Sequence, residues 1–151
     1  MNKTLKVSAI EKGTVIDHIP SGKSLKVIKI LDLPNNDMVM VGINFPSQKM
    51  IKKDVLKIEN KFLSQDEVDK LMLVSPNATI NIIEKGKVIK KLEAKLPKIV
   101  TKVVKCFNPK CISYLEPHTL ETKFYVVNSN PIVLKCHYCE RKMQGEEIEL
   151  N

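Results

Sequence analysis

Cys106, Cys111, Cys136 and Cys139 are the only four cysteines in the chain, and they are spaced C-x4-C, 24 intervening residues, then C-x2-C. Two thiolate pairs, each on a tight loop, can present four sulfurs at tetrahedral angles, which suits zinc at about 2.3 Å per Zn–S bond. The pair Cys136-His137-Tyr138-Cys139 matches a common zinc knuckle, and Asn108-Pro109 supplies the turn in the wider pair. Four thiolates around a dication leave a formal charge of about −2, which Lys105, Lys110, Lys135, Arg141 and Lys142 would offset. All four positions are protein ligands, so the expected ion is one structural zinc per chain, with no position open for water or substrate. Iron in a rubredoxin-like site is the second chemical possibility. A lone redox C-x-x-C would leave Cys106 and Cys111 without a role.

A second group with possible chemistry is Asp17-His18, within Gly13-Thr14-Val15-Ile16-Asp17-His18-Ile19-Pro20, a loop or short strand. By itself the pair reads as a surface ionic contact. His118 and His137 read as loop histidines. No Ser/His/Asp set or paired carboxylates stand out, so catalysis is not expected.

These residues need elements to hold them. No cysteine occurs before residue 106, an asymmetry that points to two domains, 1–96 and 97–151. Residues 93–98 read as the linker, since Pro97 turns Leu96 away from helix and interrupts a strand. In the first domain, Leu5, Val7 and Ala9 alternate with polar residues and suggest a strand near 4–10. Ser21 can cap a helix carrying Leu25, Ile28 and Leu31, a run that also fits a strand. Met38 to Ile43 and Val55 to Ile58 read as strands. Ser64-Gln65-Asp66-Glu67 is a capping box ahead of Val68, Leu71, Met72 and Val74, and Pro76 ends that helix. Thr79 to Ile83 and Val88 to Leu92 read as strands joined at Lys85-Gly86. Strand, helix, strand, strand, helix, strand is the ferredoxin-like plan, here with an extra hairpin strand. The expected fold class is therefore α+β: a ferredoxin-like N-terminal domain, with an antiparallel sheet and two helices, and a small all-β, zinc-ribbon-like C-terminal domain.

Charge and composition narrow the partners. The net charge is +8, but of 25 basic residues only Arg141 is an arginine, and there is no Trp. Bidentate base or phosphate reading is chiefly arginine work, and stacking of single-stranded bases needs aromatic platforms. Glu116, Glu121, Glu140, Glu146, Glu147 and Glu149 suit a protein interface better than a phosphate backbone. A nucleic-acid-binding zinc-ribbon protein is thus the alternative and no nucleic acid is expected. No apolar run approaches the roughly 18–20 residues that span a bilayer and the N-terminus lacks a signal-peptide pattern, so the expected location is the cytoplasm, without membrane contact.

Taken together, Gly13 to Pro20, Lys57-Ile58-Glu59-Asn60, Pro76-Asn77-Ala78-Thr79-Ile80-Asn81 and the four-cysteine spacing resemble the regulatory chain of aspartate carbamoyltransferase, from about Leu5 to the C-terminus. The resemblance implies a non-catalytic subunit in pyrimidine biosynthesis. Its N-terminal domain would bind the nucleoside triphosphates CTP and ATP as allosteric effectors and pair with a second copy of itself. Its zinc domain would dock on the catalytic chain. The resemblance assigns Lys53, Lys57 and Lys91 to the nucleotide and its phosphates, with His18 and Asn81 beside them. Asp17 would take ribose hydroxyls, and Ala9, Ile10, Ile83 and Val88 would form the base pocket.

Overall fold

A computed structural model describes residues 9–31, 33, 37–93 and 95–151. The chain divides into two compact units, 1–95 and 96–151.

In the first unit the order is β1 (Gly13–Pro20), α1 (Ser24–Ile30), β2 (Val39–Ser47), β3 (Ile51–Glu59), α2 (Gln65–Val74), β4 (Thr79–Glu84) and β5 (Lys87–Glu93). The antiparallel sheet runs β2-β3-β1-β4-β5. This is the expected ferredoxin-like arrangement with one added hairpin strand. Its first strand is the Gly13–Pro20 segment, whose sequence fits either a loop or a short strand. The expected strand near 4–10 falls mostly outside the described residues, and Ala9 and Ile10 belong to no strand.

Alternation in register explains the core. Ile16 pairs with Leu56 on one side and Ile80 on the other, and Thr14 pairs with Ile58 and Ile82. Partners directly opposite share a face, so these residues form one apolar surface. Ile16, Leu56, Ile58 and Ile80 are buried there, as are Val27 of α1 and Leu71 and Met72 of α2. Gly13 starts β1 at φ +142, and a Cβ there would lie 2.1 Å from the Ile58 carbonyl oxygen. Only glycine fits that approach.

The two helices begin differently. Ser64 caps α2: its hydroxyl accepts from the Glu67 N–H, while the Glu67 carboxylate accepts from the Ser64 N–H. Ser21 does not cap α1, contrary to expectation; its hydroxyl bonds to the Asn44 side chain instead. The α1 N-terminus is held by fully buried Asp54 of β3. That carboxylate accepts from the Ser24 hydroxyl at 2.6 Å and from the backbone N–H groups of Gly22, Ser24 and Asn44. Four donors converge on one carboxylate, which is how an ionisable group persists in the interior.

The second unit contains β6 (Ile99–Thr101), β7 (Val104–Lys105), α3 (Ile112–Leu115), β8 (Lys123–Ser129), β9 (Ile132–Cys136), β10 (Lys142–Gln144) and β11 (Glu149–Leu150). Four strands form a sheet in the order β10-β9-β8-β6, and β11 pairs with β7. Phe124, Leu134, Met143 and Val104 fill its small interior. Among the described residues no helix is long and apolar enough to cross a membrane.

Candidate functional site

The metal-binding candidates are carried by two loops. Cys106 follows β7, and Cys111 precedes α3 after a turn in which the Cys111 N–H donates to the Asn108 carbonyl. Asn108 is buried, and its side-chain oxygen accepts from the Lys110 N–H, which tightens the wider loop. Cys136 ends β9, and its turn closes through Glu140 N–H to the Cys136 carbonyl. All four Sγ atoms lie within 4.8 Å of one another. Cys106 and Cys139 are separated by 3.8 Å, and Cys111 and Cys136 by 3.7 Å. A tetrahedron of sulfurs with bonds of about 2.3 Å to its centre has edges of about 3.8 Å, whereas a disulfide needs about 2.05 Å. The donor set therefore fits a four-coordinate thiolate metal centre.

Burial is the largest influence on the thiols. It carries Cys106 and Cys136 above the ordinary thiol value, and the neighbouring sulfurs add to the rise. At Cys111, burial also pushes upward. Hydrogen bonds from the Ser113 hydroxyl and backbone N–H, and from Cys136 and Cys106, outweigh it and bring the thiol to about 7. The Ser113 hydroxyl lies 3.1 Å from the Cys111 sulfur. Sequence reasoning did not single out Ser113; its place two residues after a ligand was the available signal.

The other candidates gather on the sheet face opposite the helices of the first unit. Val15 pairs with Lys57 on β3 and with Asn81 on β4, and Asn81 pairs with Lys91 on β5. Lys57, Val15, Asn81 and Lys91 thus form one row across four strands. The next row toward the chain's β4–β5 turn contains Glu59, Gly13, Ile83 and Val88. Rows on one face are separated by about 6.7 Å. The Glu11 carbonyl accepts from the Gly86 N–H at 2.9 Å, so the segment entering β1 reaches the apolar end of this strip. Ile10 is buried and Ala9 exposed.

On the other side of the lysine row, Asp17 pairs with Thr79, and Thr79 with Glu93. The Lys53 ammonium lies 2.9 Å from Asp17 Oδ1 and 3.1 Å from Oδ2. Burial pushes the Asp17 carboxyl up. The Lys53 hydrogen bond, the His18 N–H and the charges of Lys53 and His18 outweigh it, so its pKa lies below the ordinary carboxylate value. His18 sits where the β1–β3 register shifts between Ile16 and Ile19, at φ 58. Bulges re-aim side chains, and here the ring reaches Thr79, with Nδ1 3.0 Å from Oγ1. A cleft of about 380 Å³ opens beside it, bordered by His18, Lys49, Asn77, Thr79, Glu93 and Lys95. Val15 and Thr79 were not candidates from sequence; their place follows from strand pairing.

An α+β domain with a cation-bearing sheet face, joined to a β domain with a closed four-thiolate centre, defines a two-domain metal-binding chain. Its N-terminal part, residues 5–95, matches the profile of the aspartate carbamoyltransferase regulatory chain, allosteric domain. Residues 98–149 match the metal binding domain of the same regulatory chain. Among individual relatives, the aspartate carbamoyltransferase regulatory chain of Pyrococcus horikoshii is 52% identical over 150 residues, covering 97% of each chain. That of Thermococcus sibiricus is 50% identical, covering 99% of this chain and 98% of the relative. That of Methanococcus maripaludis is 47% identical over 93% of this chain and 94% of the relative. The chain belongs to the aspartate carbamoyltransferase regulatory-chain family and is a non-catalytic subunit with an allosteric and a metal-binding domain.

Proposed function

We propose that this chain binds CTP and ATP on the open face of its N-terminal sheet and relays their occupancy to the catalytic chain of aspartate carbamoyltransferase, on which its zinc-bearing domain docks. Residues 1–96 are the effector domain in this reading, and 97–151 the docking domain. The observation that carries it is the row of Lys57, Asn81 and Lys91 between the Asp17–Lys53–His18 group and the apolar Ile83–Val88 end. A triphosphate needs cations, a ribose needs a hydrogen-bond acceptor and a base needs an apolar slot. The strip supplies all three: ammonium groups at Lys57 and Lys91, acceptors at Asp17 and Asn81, and apolar side chains at Ile83 and Val88.

Zinc is the metal the thiolate set favours, because four sulfurs at tetrahedral spacing suit it. Such thiols stay available in a reducing compartment, which supports work in the cytoplasm on pyrimidine biosynthesis. Exposed Ile112, Tyr114 and Leu115 around α3 support docking of a protein surface there. Pairing with a second copy is best supported at edge strand β2, which has no charged residue and exposes Val41 and Ile43. The opposite edge, β5, carries Lys87, Lys90 and Lys91, and lysines discourage strand addition.

Isothermal titration of CTP and ATP into wild type and Lys91→Ala tests the site. Both nucleotides share the triphosphate, so both should weaken together, and less so at high salt, where screening already reduces the attraction. Unchanged affinity in Lys91→Ala would show that the phosphates lie elsewhere.

A further inference from the structure

We propose that the outer face of the C-terminal sheet is a platform for single-stranded nucleic acid, on which the rings of Tyr125, His137 and Tyr138 meet bases and Lys123, Lys135 and Lys142 meet phosphates. This goes beyond the effector reading and does not depend on it.

Alternation along the strands decides what this face carries. Val100, Phe124, Leu134 and Met143 are buried on the inner side of β6, β8, β9 and β10. Their neighbours along each strand therefore point outward. Ile99 pairs with Tyr125, Tyr125 with Lys135 and Lys135 with Lys142, which makes one row across the sheet. Lys123 pairs with Thr101 on the same face, and the His137 N–H donates to the Lys123 carbonyl at 2.9 Å. His137 is thus set beside that pair. All the lysines of these strands lie on the outer face, and none of the strands contains an acidic residue. The glutamates that weigh against a phosphate backbone in the sequence are off this sheet. Glu116 and Glu121 follow α3, Glu140 is in the turn between β9 and β10, Glu146 and Glu147 follow β10, and Glu149 is on β11. The Glu121 carboxylate is also paired with Lys102 at 3.1 Å. Composition averages charge over the domain, whereas strand pairing sorts it.

The rings on this face are held in place. The Tyr125 hydroxyl lies 2.7 Å from His137 Nδ1, and the Tyr138 hydroxyl donates to the Glu121 carbonyl at 2.9 Å. His137 meets both tyrosines edge to face, with ring centres 5.7 Å from Tyr125 and 5.1 Å from Tyr138. The Lys123 ammonium is 5.6 Å from the Tyr125 ring centre. Tyr125 is half-buried, and His137 and Tyr138 are exposed. Any base can stack on such a ring whatever its sequence, and a ring already fixed loses little entropy in receiving one. Lysine serves here as a point charge for phosphate, a role that does not require the arginine fork. An acidic protein surface would also match the lysines. Nucleic acid is favoured because rings and lysines interleave, so that stacking and charge neutralisation fall on one short length of strand. A broad sheet face does not enter a duplex groove, which admits a helix or a two-stranded ribbon, so the expected form is single-stranded.

The test uses the full zinc-loaded chain and a fluorescent oligothymidylate of about 12 nucleotides, within the usual site size. Anisotropy should show saturable binding at about 50 mM salt, with log affinity falling against log salt at a slope of about −2, three lysines at about 0.7 each. Lys135→Gln should reduce that slope by about 0.7. Tyr125→Leu should weaken binding roughly tenfold and leave the slope unchanged. Zinc content reports whether each variant folds; if Tyr125→Leu loses zinc, Tyr138→Leu, at an exposed ring, gives the same readout. CTP at about 100 times its dissociation constant should not displace the oligonucleotide. Absence of saturable binding overturns the proposal, and displacement by CTP moves the contact to the N-terminal sheet and overturns it too. Polyphosphate binding as tightly as the oligonucleotide, or ring variants that bind like wild type, would reduce the face to charge alone. No oligonucleotide binding together with weaker capture of the catalytic chain by Lys135→Gln would assign the face to a protein partner instead.

Discussion

Ser113 and Asp17 illustrate how a neighbour sets the chemistry of a single side chain. Metal ligation requires thiolates, and burial opposes them at Cys106 and Cys136. Cys111 is the exception, because Ser113 hydrogen bonds to its sulfur help bring it to about 7. Cys111 is thus more readily ionised at neutral pH than Cys106 or Cys136 in the metal-free chain. Ser113→Ala should weaken metal retention against a chelator by roughly 10–100-fold, the usual range for lost outer-shell partners; chelator competition monitored by released metal measures it. Asp17 shows the converse sign. Its folded pKa is depressed, so its contribution to stability is fully present above the unfolded value of about 3.9 and is lost as pH falls through the folded value. Asp17→Asn should therefore lower the thermal midpoint at neutral pH, and the gap from wild type should close below about pH 4. A gap that persists in acid would mean that Asp17 acts by shape alone.

The helices and strands show what spacing in sequence can and cannot reveal. The α2 start was readable because Ser64 and Glu67 lie within one turn and bond to each other. The α1 start was not, because its acceptor, Asp54, lies 30 residues downstream of Ser24 on β3. A serine at position 21 offered a local cap that the fold does not use. Strand β1 was similarly obscured: the extra residue at the bulge shifts its alternation, so that Ile16 and Ile19 both face the core. The cysteine centre was legible from spacing alone, since each knuckle is local. The sheet strip was legible only through resemblance, because Lys57, Asn81 and Lys91 come into one row through pairing across four strands, with Val15 of β1 between Lys57 and Asn81. These two helix starts should also differ in energy. Ser64→Ala should cost about 1 kcal/mol, as for a typical N-cap. Asp54→Ala should cost more, because it strands four donors in or near the core at about 1–3 kcal/mol for each that stays unsatisfied. Urea unfolding followed by far-UV dichroism gives both values; an Asp54→Ala loss no larger than that of Ser64→Ala would mean that water replaces the carboxylate.

At the scale of the whole chain, the two compact units are stabilised by different means. Residues 1–95 bury an apolar layer between sheet and helices, with Ile16, Leu56, Leu71 and Ile80 at its centre. Residues 96–151 have a far smaller interior around Phe124, Leu134 and Met143, with the sulfur cluster beside it. Fifty-six residues of this kind fall in the size range where a hydrophobic core alone is marginal and a metal supplies the balance. Metal binding displaces the protons that burial keeps on Cys106 and Cys136, so retention must weaken as pH falls. Chelation should consequently unfold the C-terminal unit and leave the N-terminal one folded. Calorimetry of metal-stripped chain should then show one transition, from the N-terminal unit. Adding CTP at about 100 times its dissociation constant should stabilise that unit by about 2.7 kcal/mol, and restoring zinc should bring back the missing transition without moving the first. Retention of nucleotide binding after metal removal is the decisive readout, since the proposed nucleotide contacts all precede residue 96. Loss of both CTP binding and the N-terminal transition on chelation would show that the N-terminal unit depends on the metal, and would refute the division of labour proposed for the chain.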